Sequence, residues 1–138
     1  MIYLDTSALV RAVRLKLAPE GVTRPHSVAE FYATLTSGIT VNIAGVNQRV
    51  RFKPADVERY ARETFSNVTF RDFSGAQALA KLEYAAWNNV QGANIHDFMH
   101  AAVAAQEGCS EIVTANIKHF KLVTKKRLVE PTDYFGRA

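Results

Sequence analysis

Ile2-Tyr3-Leu4-Asp5-Thr6-Ser7-Ala8-Leu9-Val10 decides the fold class. The first three residues are an uninterrupted apolar run, the next three are residue types that cap helices, and Ala8, Leu9, Val10, Ala12 and Val13 resume the apolar pattern. A short buried strand thus passes directly into a helix, with an acidic side chain at the junction. The alternation continues along the chain. Val22 to His26 reads as a second strand after the break at Pro19 and Gly21, and Ser27 opens a helix carrying Val28, Phe31, Tyr32 and Leu35 that stops at Gly38. Thr40 to Lys53 alternates weakly around Gly45 and reads as a loop or irregular hairpin.

Beyond it, Pro54 suits a first helical position, and Val57, Tyr60, Ala61, Thr64 and Phe65 follow the spacing of one buried stripe. Val68-Thr69-Phe70 is strand-like, and Ser74 is placed to cap a helix whose apolar side is Ala76, Leu79, Ala80, Trp87 and Val90. Trp87 and the helical Tyr and Phe residues are expected in the core. Asn94 opens a helix through Ala105 and Gln106, closed by Gly108; Ile112-Val113-Thr114 and Arg127-Leu128-Val129 read as further strands. Short apolar strands separated by helices predict an α/β fold, with a parallel sheet flanked by α-helices on both faces. Functional groups in such sheets gather beyond the carboxyl ends of the strands, where strand order reverses.

Composition agrees with one globular domain. The chain has 138 residues, 48% hydrophobic and 22% charged, which excludes a disordered tail or low-complexity linker. Lys and Arg number 17 against 13 Asp and Glu, a net charge of +4 that permits a polyanionic partner without requiring one. The single cysteine, Cys109, excludes an internal disulfide and a multi-cysteine zinc cage. No basic leader precedes Asp5 and no apolar run reaches the roughly 18–20 residues that span a bilayer, so a cytoplasmic protein is expected.

Three acids fall where the sheet rule directs attention: Asp5 after the first strand, Glu30 in the first turn after the second, and Asp97 at the start of the helix that opens at Asn94. Singly, each reads as a helix cap: Asp5 as an N-cap, Ser27-x-x-Glu30 as a capping box, Asn94-x-x-Asp97 as a looser one. Their recurrence at the mouths of several elements is what capping does not explain. Converging carboxylates need a counter-charge, and hard oxygen donors without cysteine point to Mg²⁺ or Mn²⁺. The chemistry that uses such a cluster is phosphodiester hydrolysis, in which the metal activates water and stabilises phosphoryl charge.

Four blocks then carry a family resemblance: Tyr3-Leu4-Asp5-Thr6-Ser7-Ala8-Leu9-Val10, Ala29-Glu30-Phe31-Tyr32-Ala33-Thr34-Leu35-Thr36, Ile95-His96-Asp97-Phe98-Met99-His100-Ala101-Ala102 and Thr114-Ala115-Asn116-Ile117-Lys118-His119-Phe120. In this order they resemble the PIN-domain family, and within it the VapC-like toxin ribonucleases of type II toxin-antitoxin systems. The resemblance implies a single PIN-like nuclease domain over residues 1–138 and a cytoplasmic, Mg²⁺- or Mn²⁺-dependent endoribonuclease hydrolysing RNA phosphodiester bonds. It further implies a cognate antitoxin partner and a homodimer. Asp5, Glu30 and Asp97 match the family's acidic positions as metal ligands, and Asn116 stands where many members carry a fourth acid. Thr6 and Thr114 match supporting hydroxyl positions. The segment Leu15 to Gly21 is shorter than in similar proteins, which usually place a further helix there.

Other patterns in the chain compete with this reading. His96 and His100 share a helical face as in H-E-x-x-H zinc proteases, but the second residue is Asp97 and no third ligand follows. Lys118, His119, Lys121, Lys125, Lys126 and Arg127 form a basic stretch suited to contacting RNA backbone, Lys118, His119 and Lys121 above all, as are Arg49, Arg51 and Lys53. An aspartate-based phosphotransfer domain would want a second Asp two residues after Asp5, where Ser7 stands. A non-catalytic PIN-like module that binds RNA or a partner is the competing alternative.

Overall fold

The computed structural model describes residues 1–136; residues 137 and 138 of the expected single domain lie outside the described residues. The elements run β1 (Ile2–Leu4), α1 (Thr6–Arg14), β2 (Gly21–Thr23), α2 (His26–Ser37), β3 (Ile39–Ile43), β4 (Val46–Val50), α3 (Pro54–Thr64), β5 (Val68–Phe70), α4 (Gly75–Trp87), α5 (Asn94–Gln106), β6 (Glu111–Val113), α6 (Ile117–Phe120), β7 (Arg127–Val129) and α7 (Pro131–Phe135). Five strands form one parallel sheet in the order β5-β2-β1-β6-β7. The α/β class and the helix-flanked parallel sheet follow the sequence expectation.

Period-two alternation divides the core between the two faces. Tyr3, Val22 and Ile112 stand in register across β1, β2 and β6 and pack with Ala101, Val103 and Ala104 of α5 and with Phe120 of α6. Their strand neighbours Leu4 and Val113 point the other way, onto Ala8 and Leu9 of α1, Phe31 and Leu35 of α2, and Val57 of α3. The central strands β1, β2 and β6 are buried on both sides, which favours apolar residues in them, while the edge strands β5 and β7 are partly exposed. β1 lies at the centre, with β2 on one side and β6 on the other. Strand order therefore reverses beside the carboxyl end of β1, where Asp5 stands. No helix among the described residues is long and apolar enough to cross a membrane.

Several expectations need correction. The second strand stops at Thr23, because Pro25 has no N–H to give a ladder and adopts helical angles of φ −54° and ψ −31°, so α2 starts at His26. The segment 40–53 contains a regular antiparallel hairpin, β3 against β4, turning at Ala44 and Gly45 with φ 52° and 83°. Its alternation was faint because the hairpin is mostly exposed on both faces. The apolar side read for α4 faces outward: Ala76, Leu79, Ala80 and Trp87 are exposed, Trp87 at 87%, while Ala85 is the helix's buried residue. α4 follows the edge strand β5 and packs on α5, so the sheet does not cover that stripe. Trp87 is not a core residue.

At protein concentrations too low for self-association, lysine substitutions at Leu79 and Trp87 should therefore change the unfolding free energy of the single chain by no more than about 0.5 kcal/mol each. Phe31→Ala, emptying a fully buried site against Phe65, should cost about 3–5 kcal/mol. Urea denaturation of the three variants checks this contrast.

Candidate active site

Asp5 ends the central strand in an extended conformation, φ −81° and ψ 176°, and caps α1 by accepting the Ala8 N–H on Oδ1 at 2.9 Å. The capping reading of Asp5 holds, but it covers only part of what surrounds the carboxylate. Ser7 Oγ also donates to Oδ1, at 2.6 Å, and Thr114 Oγ1 donates to Oδ2 at 2.5 Å. The two hydroxyls in turn accept backbone N–H groups, Ser7 from Ala115 at 2.8 Å and Thr114 from Asn116 at 2.9 Å. The connection leaving β6 is thus fastened to the end of β1 through one buried carboxylate. Oδ1 has both lone pairs engaged and Oδ2 has one left.

Glu30 anchors a second network. The Ser27 capping box does not form: α2 begins a residue before Ser27, whose buried Oγ pairs with Thr23 Oγ1 at 2.7 Å instead. Glu30, in the second turn of α2, is thereby released from capping, and its Oε1 receives Thr6 Oγ1 and lies against His100 Nε2, both at 3.0 Å. The other nitrogen of His100, Nδ1, is 2.6 Å from the Tyr3 hydroxyl. Asp97 likewise does not cap α5, whose N-cap is Ala93 without a side-chain bond. Its carboxylate lies 4.0 Å from His119 Nδ1.

The chain has four histidines, and all of them collect here. His26 Nε2 is 3.9 Å from Glu30 Oε1, His96 stacks on His26 at 5.6 Å between ring centroids, and His100 and His119 face Glu30 and Asp97. The i, i+4 pair His96 and His100 is not a chelate, since both ring nitrogens of His100 are hydrogen-bonded within the fold. No Lys or Arg lies within salt-bridge distance of Asp5, Glu30 or Asp97 among the described residues.

Charge follows the same geometry. Burial pushes the Asp5 carboxyl above its ordinary range, against the opposing hydrogen bonds from Ser7, Thr114 and Ala8. Burial also raises Asp97, offset in part by His100, His119 and His96, with the Glu30 charge adding to the rise. For Glu30 the burial effect is the largest single influence, yet the hydrogen bond and charge of His100, the Thr6 hydroxyl and His26 together outweigh it and lower the pKa.

Asp5, Glu30 and Asp97 thus lie along one edge of the sheet, with Thr6 and Thr114 bonded to two of them. Asn116 joins through its backbone N–H, while its exposed side chain makes no hydrogen bond among the described residues. Lys118, His119 and Lys121 are exposed, and only His119 reaches an acid. Lys126 and Arg127 belong to the opposite edge, where Lys126 Nζ donates to the Cys109 carbonyl at 2.6 Å and Arg127 Nε pairs with Glu111 at 3.2 Å. Arg49 and Arg51 both donate to the Ser37 carbonyl, holding the hairpin to the far end of α2 from His26. Tyr3, Ser7, His26 and His100 were not read from the sequence as members of the site. The one available signal was His100, a single helical turn beyond Asp97.

Hard oxygen donors suit Mg²⁺ or Mn²⁺, and Glu30 Oε2 and both oxygens of Asp97 accept no hydrogen bond among the described residues. Among those residues, however, no three of His, Cys, Asp and Glu surround one point closely enough to form a protein cage for a metal ion. Mg²⁺ does not require one, since it commonly binds one or two carboxylates and completes its shell with water and substrate phosphate. No family model and no curated protein matches this chain.

The opposite shifts of Asp5 and Glu30 have opposite signs in stability. Asp5 holds its proton more tightly folded than unfolded, so its contribution falls as pH rises from the ordinary carboxyl range through the raised folded value. Asp5→Asn should remove that fall and leave the fold at least as stable at neutral pH. Glu30 contributes stability above the ordinary range and loses it as pH drops through its lowered folded value. Glu30→Gln should remove that component and destabilise the protein at neutral pH, as read from urea unfolding between acid and neutral pH.

Proposed function

We propose that this chain is a divalent-cation-dependent endoribonuclease acting through the acids at the carboxyl edge of its sheet. One observation carries the reading. Among the described residues the buried polar side chains are Asp5, Thr23, Ser27, Thr64, His100 and Thr114; Asp5, Thr114 and His100 make up the arrangements around Asp5 and Glu30, while Thr23 and Ser27 pair with each other between β2 and α2. Buried polar groups are costly unless fully satisfied, and a fold that needed only stability would use apolar residues there. Their concentration supports a role in holding carboxylates in place. The lack of Lys or Arg at those carboxylates supports a mobile counter-ion in place of a fixed one.

One or two of the three acids, Glu30 through Oε2, Asp97, or Asp5 through the remaining lone pair of Oδ2, would hold Mg²⁺ or Mn²⁺, with water and substrate phosphate completing its shell. The cation would supply charge neutralisation at a phosphodiester and a Lewis acid for its hydrolysis. The chain's own groups do the rest. Thr114 and Ser7 fix both oxygens of Asp5, Thr6 fixes Glu30, and the α6 segment carries Lys118, His119 and Lys121 beside the site as contacts for RNA backbone. The resemblance to VapC-like toxins supports RNA as the substrate and a toxin-antitoxin setting, with an antitoxin as the protein partner.

The test is cleavage of structured and single-stranded RNAs by wild type and Asp97→Asn with Mg²⁺, Mn²⁺ or chelator. Cation-dependent cutting lost in the variant supports the reading. Chelator-resistant binding without cutting would instead make the domain a non-catalytic PIN-like module. Thr114→Val, which releases Asp5 Oδ2 without removing an acid, should lower activity by about 10- to 100-fold.

The exposed stripe of α4 supports pairing with a second copy of this chain. Leu79, Leu82, Tyr84 and Trp87 are 70%, 46%, 62% and 87% exposed. Of these, Leu79, Tyr84 and Trp87 share one side of the helix with Ala76 and Ala80, whereas Leu82 lies on the other side. A two-fold antiparallel pairing of α4 sets the Trp87 end of one helix on the small Ala76–Ala80 end of the other. Sedimentation should show a dimer that Trp87→Lys dissociates; a wild-type monomer at all concentrations would overturn this part.

A further inference from the structure

His100 is 3% exposed and sits between two unlike partners, the phenol of Tyr3 on Nδ1 at 2.6 Å and the carboxylate of Glu30 on Nε2 at 3.0 Å. Tyr3 comes from the central strand, Glu30 from a helix on one face of the sheet and His100 from a helix on the other. The imidazole is therefore the only group hydrogen-bonding across this junction from α5 to α2 among the described residues. Its neighbours restrict how its proton is placed. A lone pair on Nε2 facing a carboxylate oxygen at 3.0 Å would be repulsive, so Nε2 carries hydrogen. Tyr3 is fully buried, and burial pushes its phenol far above its ordinary range, so its O–H stays protonated and is available to donate to a bare Nδ1. When the imidazole is neutral, one tautomer, Nε2–H, satisfies all three groups; when it is charged, Nε2–H still faces Glu30.

Oε1 of Glu30 then accepts two donors, Thr6 Oγ1 and His100 Nε2, which fills its lone pairs. Oε2 accepts none among the described residues. We infer that His100 is a positioning residue, set by the Tyr3 hydroxyl in its Nε2–H tautomer, that commits Oε1 of Glu30 to the fold and leaves Oε2 as the oxygen available to a divalent cation. The inference rests on the reading of Glu30 as a cation ligand, and it adds Tyr3 and His100 as the pair that decides which Glu30 oxygen serves. His100 touches neither cation nor substrate; it acts through Glu30.

Nitrogen-15 NMR of the wild-type protein at mildly alkaline pH reads the tautomer without reference to activity. The expected result is a pyrrole-type Nε2 and a pyridine-type Nδ1, with that preference weakened in Tyr3→Phe. Two isosteric variants separate positioning from packing: His100→Gln can place an amide N–H where Nε2 stands, and His100→Asn cannot. With folding confirmed by thermal denaturation, calorimetric titration with Mn²⁺ should give His100→Gln an affinity within about threefold of wild type and His100→Asn a loss of about tenfold or more. An Nδ1–H tautomer in the wild type, or equal Mn²⁺ affinity in the two variants, would overturn the inference. Absence of Mn²⁺ binding to the wild type, with the Nε2–H tautomer observed, would locate the failure in the cation reading and leave the coupling of Tyr3, His100 and Glu30 standing.

Discussion

A carboxylate at the end of a central, doubly covered strand cannot reach bulk water, and Asp5 is 3% exposed. Its charge must then be supported by groups that the fold brings to it. Two hydroxyls and one backbone N–H do so, and the hydroxyls are themselves held by backbone amides of the segment that leaves β6. Because those donors come from α1 and from the far side of the strand-order reversal, the Asp5 environment joins β1 to β6 beyond the reach of their ladder bonds. Even so supported, the carboxyl remains above its ordinary range, since neutral donors offset only part of the burial cost.

The neighbouring acids are arranged differently. Glu30 is half-buried and surrounded by imidazoles, which favour its charged form, and Asp97 is less well supported and shifted the other way. Three carboxylates in three electrostatic settings can therefore differ in how readily each releases a proton or accepts a cation. The histidines moderate the repulsion at this edge without pairing it off as Lys or Arg would. The carboxylates keep lone pairs that a fixed cation would have occupied.

Much of the architecture was legible because each strand of the sheet carries a short apolar run, uninterrupted in the central β1 and broken or flanked by Thr23, Thr69, Glu111 and Arg127 in the others. The positions of Asp5, Glu30 and Asp97 at one edge then follow from parallel connectivity, which returns each strand's carboxyl end to the same side. What remained hidden has physical reasons. The hairpin over 39–50 is held by backbone pairing and by Arg49 and Arg51 on the Ser37 carbonyl, with little buried side-chain area to impose alternation. The α4 stripe has the spacing of a buried face but no sheet beneath it, and spacing cannot report what a helix packs against. Tyr3 and His100 lie 97 residues apart, and each fits an ordinary core position by its own sequence context.

On the proposed function, Asp5 after β1, Glu30 of α2 and Asp97 of α5 form one cation-binding edge. Paramagnetic broadening of backbone amide signals by substoichiometric Mn²⁺ tests it most directly, because the distance dependence of the effect locates the ion. The expected result is selective loss of signals around Thr6, Glu30 and Asp97, reversed by chelator, with the hairpin over 39–50 unaffected. Broadening centred elsewhere, or uniform weak broadening throughout, would contradict it.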